Sequence, residues 1–182
     1  MTKKTPDVDM DTVLHMHLFL DDLQYQIQDN EDLLEYELAT EYTSRAMDLV
    51  EEYPKFKDIG QVYIAGMHPG IIGIFLISLK DTMNNEQWAW VIIGDIPPAL
   101  FSVGAGRNPA QVLDAYLGEM AEWCDAVREG KPLDGLVPVN APPTKERADK
   151  LYSRLEFIGK RILEEYYQKV LGYDLGYDPN EE

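Results

Sequence analysis

QWAWVIIGDIPPALF, residues 87–101, decides the fold. Its first eight residues are rich in aromatic and β-branched side chains, and a Gly-Asp-Ile-Pro-Pro corner stops them. A short run of that composition, bounded by turn residues, predicts a strand. Two similar runs precede it, residues 61–66 and 71–79, with turn-forming clusters at His68-Pro69-Gly70 and at residues 81–85 between them. No segment long enough for a crossover helix separates these runs, so consecutive strands must pair antiparallel. Residues 71–79 lack polar alternation, which predicts the central strand, covered on both faces.

Helical periodicity flanks this core. Val13, Met16, Leu20, Leu23 and Ile27 recur at spacings of three and four, which predicts one helix, capped by Asp11 or Thr12. Leu34, Leu38, Tyr42, Ala46, Leu49 and Tyr53 predict a second, inward-facing in the same way. After the strands, Asn108 and Pro109 are an N-cap and a first helical residue, followed by Val112, Tyr116, Met120, Trp123 and Val127. A proline-rich connection (residues 131–143) leads to Thr144 and a last helix carrying Leu151, Leu155, Ile158 and Ile162. The expected fold is α+β in the order α-α-β-β-β-α-α: an N-terminal helical hairpin, a three-stranded antiparallel sheet and two C-terminal helices. One domain over residues 1–182 is expected, with a polar leader (1–10) and an acidic tail (173–182).

Charge narrows the function classes. The 182 residues hold 33 acids and 16 bases, a net charge of −17. That balance argues against nucleic acid as the partner, since a phosphate backbone is bound by Lys and Arg that displace its counterions. It equally disfavours an anionic membrane surface. The acid is concentrated: residues 5–44 contain eleven carboxylates and not one Lys or Arg. A field of one sign speeds encounter with a surface of the other, so a basic protein is the natural partner. The longest apolar run, residues 71–79, is too short to span a bilayer as a helix, and no apolar stretch follows Met1-Thr-Lys-Lys to form a signal peptide. The chain reads as cytoplasmic.

Reactive groups do not assemble into a catalytic set. His15-Met-His17 resembles a metal-binding pair, but on a helix residues two apart point about 200° from each other, so no metal is expected there. Cys124, the single cysteine, sits among Trp123, Met120 and Val127 and reads as packing. Gly104-Ala-Gly106-Arg107-Asn108-Pro109 joins two glycines and a cation to a helix start, a receptor for an anion, though the three-glycine dinucleotide fingerprint is absent. Asp95 follows Gly94 just outside a strand. The next residues that would donate to it, Pro97 and Pro98, have no N–H, so its partners must lie elsewhere, with the Arg107 guanidinium a candidate. Asp95, Arg107 and His68 are therefore a structural clamp or, in the alternative, a ligand site.

Trp88-Ala-Trp-Val-Ile-Ile-Gly-Asp-Ile-Pro97 resembles the signature strand of a bacterial family of unknown function, whose members end an aromatic-rich strand on Gly-Asp-Leu-Pro. The likeness covers about residues 70–165 and extends through Arg107-Asn-Pro109, Tyr116 and Leu151-Tyr-Ser-Arg154-Leu. It implies that Trp88, Trp90, Gly94, Asp95, Pro97 and Arg107 belong to one shared structural feature, and it carries no activity.

The expected function is an acidic binding protein, of the kind that bacterial immunity proteins represent against nuclease-type toxins. Asp21, Asp22, Asp29, Glu31, Asp32 and Glu35 would meet the partner's basic side chains, with Tyr25, Tyr36 and Tyr42 as aromatic contacts. No cofactor is called for. The alternatives are a small hydrolase or anion-ligand enzyme built around Asp95, Arg107 and His68, and a general interaction or oligomerisation module.

Overall fold

The computed structural model describes residues 7–171, with side chains as far as residue 168. The first six residues of the leader and the acidic tail lie outside the described residues. The chain divides into two compact units, Met1–Arg107 and Asn108–Glu182.

The first unit is a five-stranded antiparallel sheet with two helices. Its elements are β1 (Leu14–His15), α1 (Met16–Gln26), α2 (Asn30–Glu51), β2 (Phe56–His68), β3 (Ile72–Asp81), β4 (Glu86–Gly94) and β5 (Ala99–Ser102). The strands lie in the order β1-β2-β3-β4-β5, each paired with its neighbour in sequence. As the uninterrupted apolar run predicts, β3 is central and buried at every position from 72 to 79. Alternate residues face opposite sides of a sheet. Phe75, Ile77 and Leu79 therefore share a face with Ala89, Val91 and Ile93 of β4, and Met16 of α1 and Tyr42, Ala46 and Val50 of α2 complete that core. Ile72, Ile74, Leu76, Trp90 and Ile92 form the opposite face and are buried as well.

The expectation of α+β holds, but the order α-α-β-β-β-α-α with three strands is overturned by two further strands. β1 comes before the helices: Leu14 and His15 pair with Ile64 and Tyr63. Val13 is extended rather than helical, and α1 begins at Met16, so neither Asp11 nor Thr12 caps it. A two-residue strand is too short to show any period, and Val13 before it and Met16 after it have the three-residue spacing of a helical stripe. β5 comes after Pro97-Pro98 and pairs with residues 89–92 of β4. The prolines occupy the corner, where their missing donors cost no ladder bond. β2 is also twice the expected length. Register shifts at Phe56/Asp58, Ile59/Val62 and Ile64/Gly66 break its alternation, as bulges do.

In the second unit, α3 (Pro109–Glu129) starts as anticipated, with Asn108 Oδ1 accepting the Gln111 N–H at 3.0 Å. After the proline-rich connection, α4 (Lys145–Ile158) runs through a π-helical turn (Gly159–Leu163) into α5 (Glu164–Leu171). Arg128 ties α3 to α4: its Nε donates to Asp149 at 2.8 Å, and its guanidinium lies 4.2 Å from the centre of the Tyr152 ring.

The Gly-Asp-Ile-Pro corner is held by backbone contacts. The Asp95 N–H donates to the Ile71 carbonyl at 3.0 Å, and Trp90 Nε1 donates to the Gly106 carbonyl at 2.8 Å. A Cβ at Gly94 would run into the Ile71 carbonyl oxygen and stand 3.0 Å from Ile72 Cα. Both obstacles are backbone of the central strand and its lead-in, and they cannot swing aside. Gly94→Ala is accordingly expected to destabilise the protein by about 2–3 kcal/mol in urea unfolding. Gly104→Ala, where the added carbon meets only Ser102 Oγ at 3.6 Å, should fall within about 0.5 kcal/mol of the parent.

Candidate functional site

α1 turns Met16, Phe19 and Leu20 toward the sheet. At about 100° per residue, Leu18, Asp21, Asp22 and Tyr25 then point away from it. All four are exposed, Tyr25 at 91% and Leu18 at 48%. Residues 27–29 turn the chain back into α2, so the end of α1 lies beside the start of α2. Asp29 caps that start by accepting from the N–H groups of Glu31 at 2.8 Å and Asp32 at 3.1 Å. Asp32 reciprocates by accepting from Gln28 N–H at 2.9 Å. The arrangement differs from a capping box in that Asp32 reaches past the Asp29 cap to the N–H of Gln28, and carboxylates here also suit the positive end of the helix.

The acids thus divide by job. Asp29 and Asp32 are occupied in shaping the hairpin, and Asp22 accepts from Gln26 Nε2 at 2.7 Å. Asp21, Glu31, Glu35 and Glu37 are exposed, and their side chains have no protein partner among the described residues. Arg45, which ends the base-free stretch, lies well down α2. Its guanidinium pairs with Glu41 at 3.3 Å and donates to the Gly94 carbonyl at 2.9 Å. Nothing basic on the hairpin therefore offsets the charge at its turn.

Of the three tyrosines expected to meet a partner, Tyr25 is fully available and Tyr36 half-buried. Tyr42 is a correction. It is 3% exposed, stacks against Arg45 at 5.2 Å, and lies where a Cβ on Gly73 would come within 3.1 Å of its ring. Burial raises its phenol pKa. A lone tyrosine in an acidic segment gives no sign of this; its inward direction follows only from the Tyr42, Ala46, Val50 spacing.

One leucine makes the opposite correction, and two that the sequence reading did not place are exposed with it. Leu34 belongs to the predicted inner stripe of α2 but is 54% exposed, with Leu33 beside it at 40%. The stripe fails because each four-residue step advances about 40° around the helix, so Leu34 stands about 120° from Ala46 and off the buried face of Ala39, Tyr42, Ala46 and Val50. Leu18 was legible in principle, since it stands about 200° from Met16 on the same helix.

Strand register places His68 and Asp95, and contacts with residues 7–9 place Arg107. The register sets His68 beside Ile72 and Ile72 beside Gly94, so His68 and Asp95 lie at one end of the sheet, with β3 between their strands. Arg107 forms an exposed ion pair with Asp7 at 3.1 Å, and its carbonyl accepts the Asp9 N–H at 2.7 Å. A cleft of about 270 Å³ opens at the β2 bulge and another of about 380 Å³ beside the end of α3; none of the three lines either.

The helical premise for His15 and His17 also changes. His15 closes β1 and stacks on Tyr63 at 4.2 Å, while His17 is the second residue of α1, their rings 5.3 Å apart. Among the described residues, no group of three or more His, Cys, Asp or Glu is placed to hold a metal, and no helix is long and apolar enough to cross a membrane. Compared with known proteins, the chain matches no family model, no curated protein and no solved structure.

Tyr42→Ala is expected to cost about 3–5 kcal/mol in urea unfolding, as for other large aromatic truncations in a core. Tyr25→Ala should leave the unfolding midpoint unchanged. In α3, burial pushes the Cys124 thiol up to about 11, which leaves only roughly a thousandth of it as thiolate at pH 8. A thiol reagent at that pH should label Cys124 in urea and not in buffer.

Proposed function

We propose that this chain is a binding protein that captures a basic partner protein on the outer face of the α1–α2 hairpin. One observation carries the proposal: Asp21, Asp22, Glu31 and Glu35 are exposed on the hairpin with no cation to neutralise them. Clustered like charges raise the free energy of the compact fold through mutual repulsion. A cationic partner relieves that repulsion on binding, and the same field draws it in. Tyr25 supplies aromatic contact area at the centre of the charge, as hot-spot residues do. The finer form of the proposal is an inhibitor of a nuclease-type toxin: the hairpin carboxylates pair with the Lys and Arg that such an enzyme uses to hold nucleic acid, and so block its substrate. An enzyme centred on Asp95, Arg107 and His68 is the alternative reading; the clefts at the β2 bulge and beside the end of α3 are lined by other residues.

The test is co-purification from the native host at low salt, beside a variant carrying Asp21→Lys, Asp22→Lys and Glu35→Lys. A protein of basic isoelectric point should be recovered with the parent, elute as salt rises through about 0.5 M, and be lost with the variant. A partner that the variant retains, or recovery of none, overturns the proposal. Suppression of the partner's nuclease activity by the parent chain checks the finer form.

A further inference from the structure

The hairpin is acidic, yet it also exposes Leu18 and Tyr25 from α1 and Leu33 and Leu34 from α2. Pure charge capture needs no such residues, and exposed apolar side chains of this size on one hairpin mark an interaction site. Leu18 and Tyr25 are seven residues apart, two helical turns and about 10.5 Å along the same outer side of α1. Leu33 and Leu34 sit just past the turn, beside the end of α1. The result is an apolar ridge with Asp21 and Asp22 interleaved along it.

We propose that this ridge docks one α-helical segment of the partner, a basic amphipathic helix. Its apolar side chains recur at i, i+3 or i+4, and i+7, with Lys or Arg on both flanks. The inference rests on the partner-binding face assigned above and specifies what that face recognises. Helical repeat on the partner matches the two-turn spacing of Leu18 and Tyr25, as in other helix-on-helix recognition. Charge complementarity selects the flanks: carboxylates stand beside the leucines, and residues 5–44 offer no Lys or Arg to repel a cation. The same charge argues against two other occupants. A second copy of the chain would set acid against acid, and an anionic bilayer would be repelled.

The probes are two synthetic peptides of about five helical turns, made of Leu and Lys in identical composition. One has its leucines in helical register; the other is scrambled so that no apolar face forms. Fluorescence anisotropy with the full chain at about 0.15 M salt should show the amphipathic peptide binding about tenfold tighter than the scrambled one. Leu18→Ser/Tyr25→Ser, with its circular dichroism unchanged, should abolish that preference and keep a weak, salt-sensitive affinity for both. Equal binding of the two peptides to the parent chain, or a preference that survives the double variant, overturns the helix-docking inference while charge capture stands. Failure of both peptides to bind even at low salt overturns the two proposals together. Sedimentation showing a dimer that the double variant dissociates, or vesicle binding that it abolishes, would assign the ridge to a second copy or to lipid and likewise overturn it.

Discussion

From residue 72 to residue 79, β3 keeps every side chain out of water on both faces of the sheet. Such a strand cannot be an edge, because its backbone groups must also be paired on both sides once water is gone. β2 and β4 therefore have to flank it, and the tight turns at residues 69–71 and 82–85 allow only antiparallel partners. The face carrying Phe75, Ile77 and Leu79 then requires apolar cover, which Met16, Tyr42, Ala46 and Val50 provide from the two helices. At about 25 cal/mol per Å² of apolar surface, this burial is the main force that holds α1 and α2 in place. Their inner stripes are committed to it. Their outer faces are free to carry any charge, and that freedom is what allows an acidic surface to sit on a well-packed core.

The charge is not without structural work. Asp29 and Asp32 satisfy three backbone N–H groups at the hairpin turn, so part of the acidity stabilises the very helix start that presents the rest. A carboxylate at a helix N-terminus contributes about 0.3–1 kcal/mol. Glu35 and Glu37 lie beyond the first turn, where that benefit has decayed, and among the described residues they accept no hydrogen bond from the chain. Caps account for acids at residues 29–32 and for none after them. The remainder adds repulsion to the isolated fold, which is why a complementary partner is the simpler explanation of its presence.

What could be read from sequence depended on length. β3 and β4 were legible because eight or nine consecutive residues share one character, enough for composition and turn signals to agree. β1 was not, since Leu14 and His15 are two residues whose strand pairing is decided by Ile64 and Tyr63, far along the chain. β5 was hidden behind Pro97-Pro98, which marks a corner but gives no hint of a strand beyond it. On α2, periodicity correctly turned Tyr42 and Ala46 inward, and the error lay in giving Tyr42 a second, outward role. Periodicity failed at Leu34 for a different reason: repeated four-residue steps drift around the helix, and by Leu34 they have left the face that the sheet covers. The acidic face was legible from residues 5–44 alone; the apolar ridge within it needed coordinates.

The placement of the candidate site on helices has a counterpart at the sheet edges. A bare edge strand invites any extended segment to add to the sheet. Here β1 contributes two residues, β5 four, and β2 is bulged by three register shifts in its pairing with β3. Bulges twist an edge away from a flat template, and Lys57 and Asp58 put charge on the same stretch. The edges are thus poorly suited to backbone recognition. Under the proposed function, selectivity would come from side chains on a rigid support: helices pinned by their buried stripes, with exposed leucine, tyrosine and carboxylate on them. A surface of that composition rejects on two counts. A cationic coil without an apolar face gains nothing from Leu18 and Tyr25. An apolar helix without cations must strip water from Asp21 and Asp22 with no compensating charge, a cost of the kind that specificity exploits.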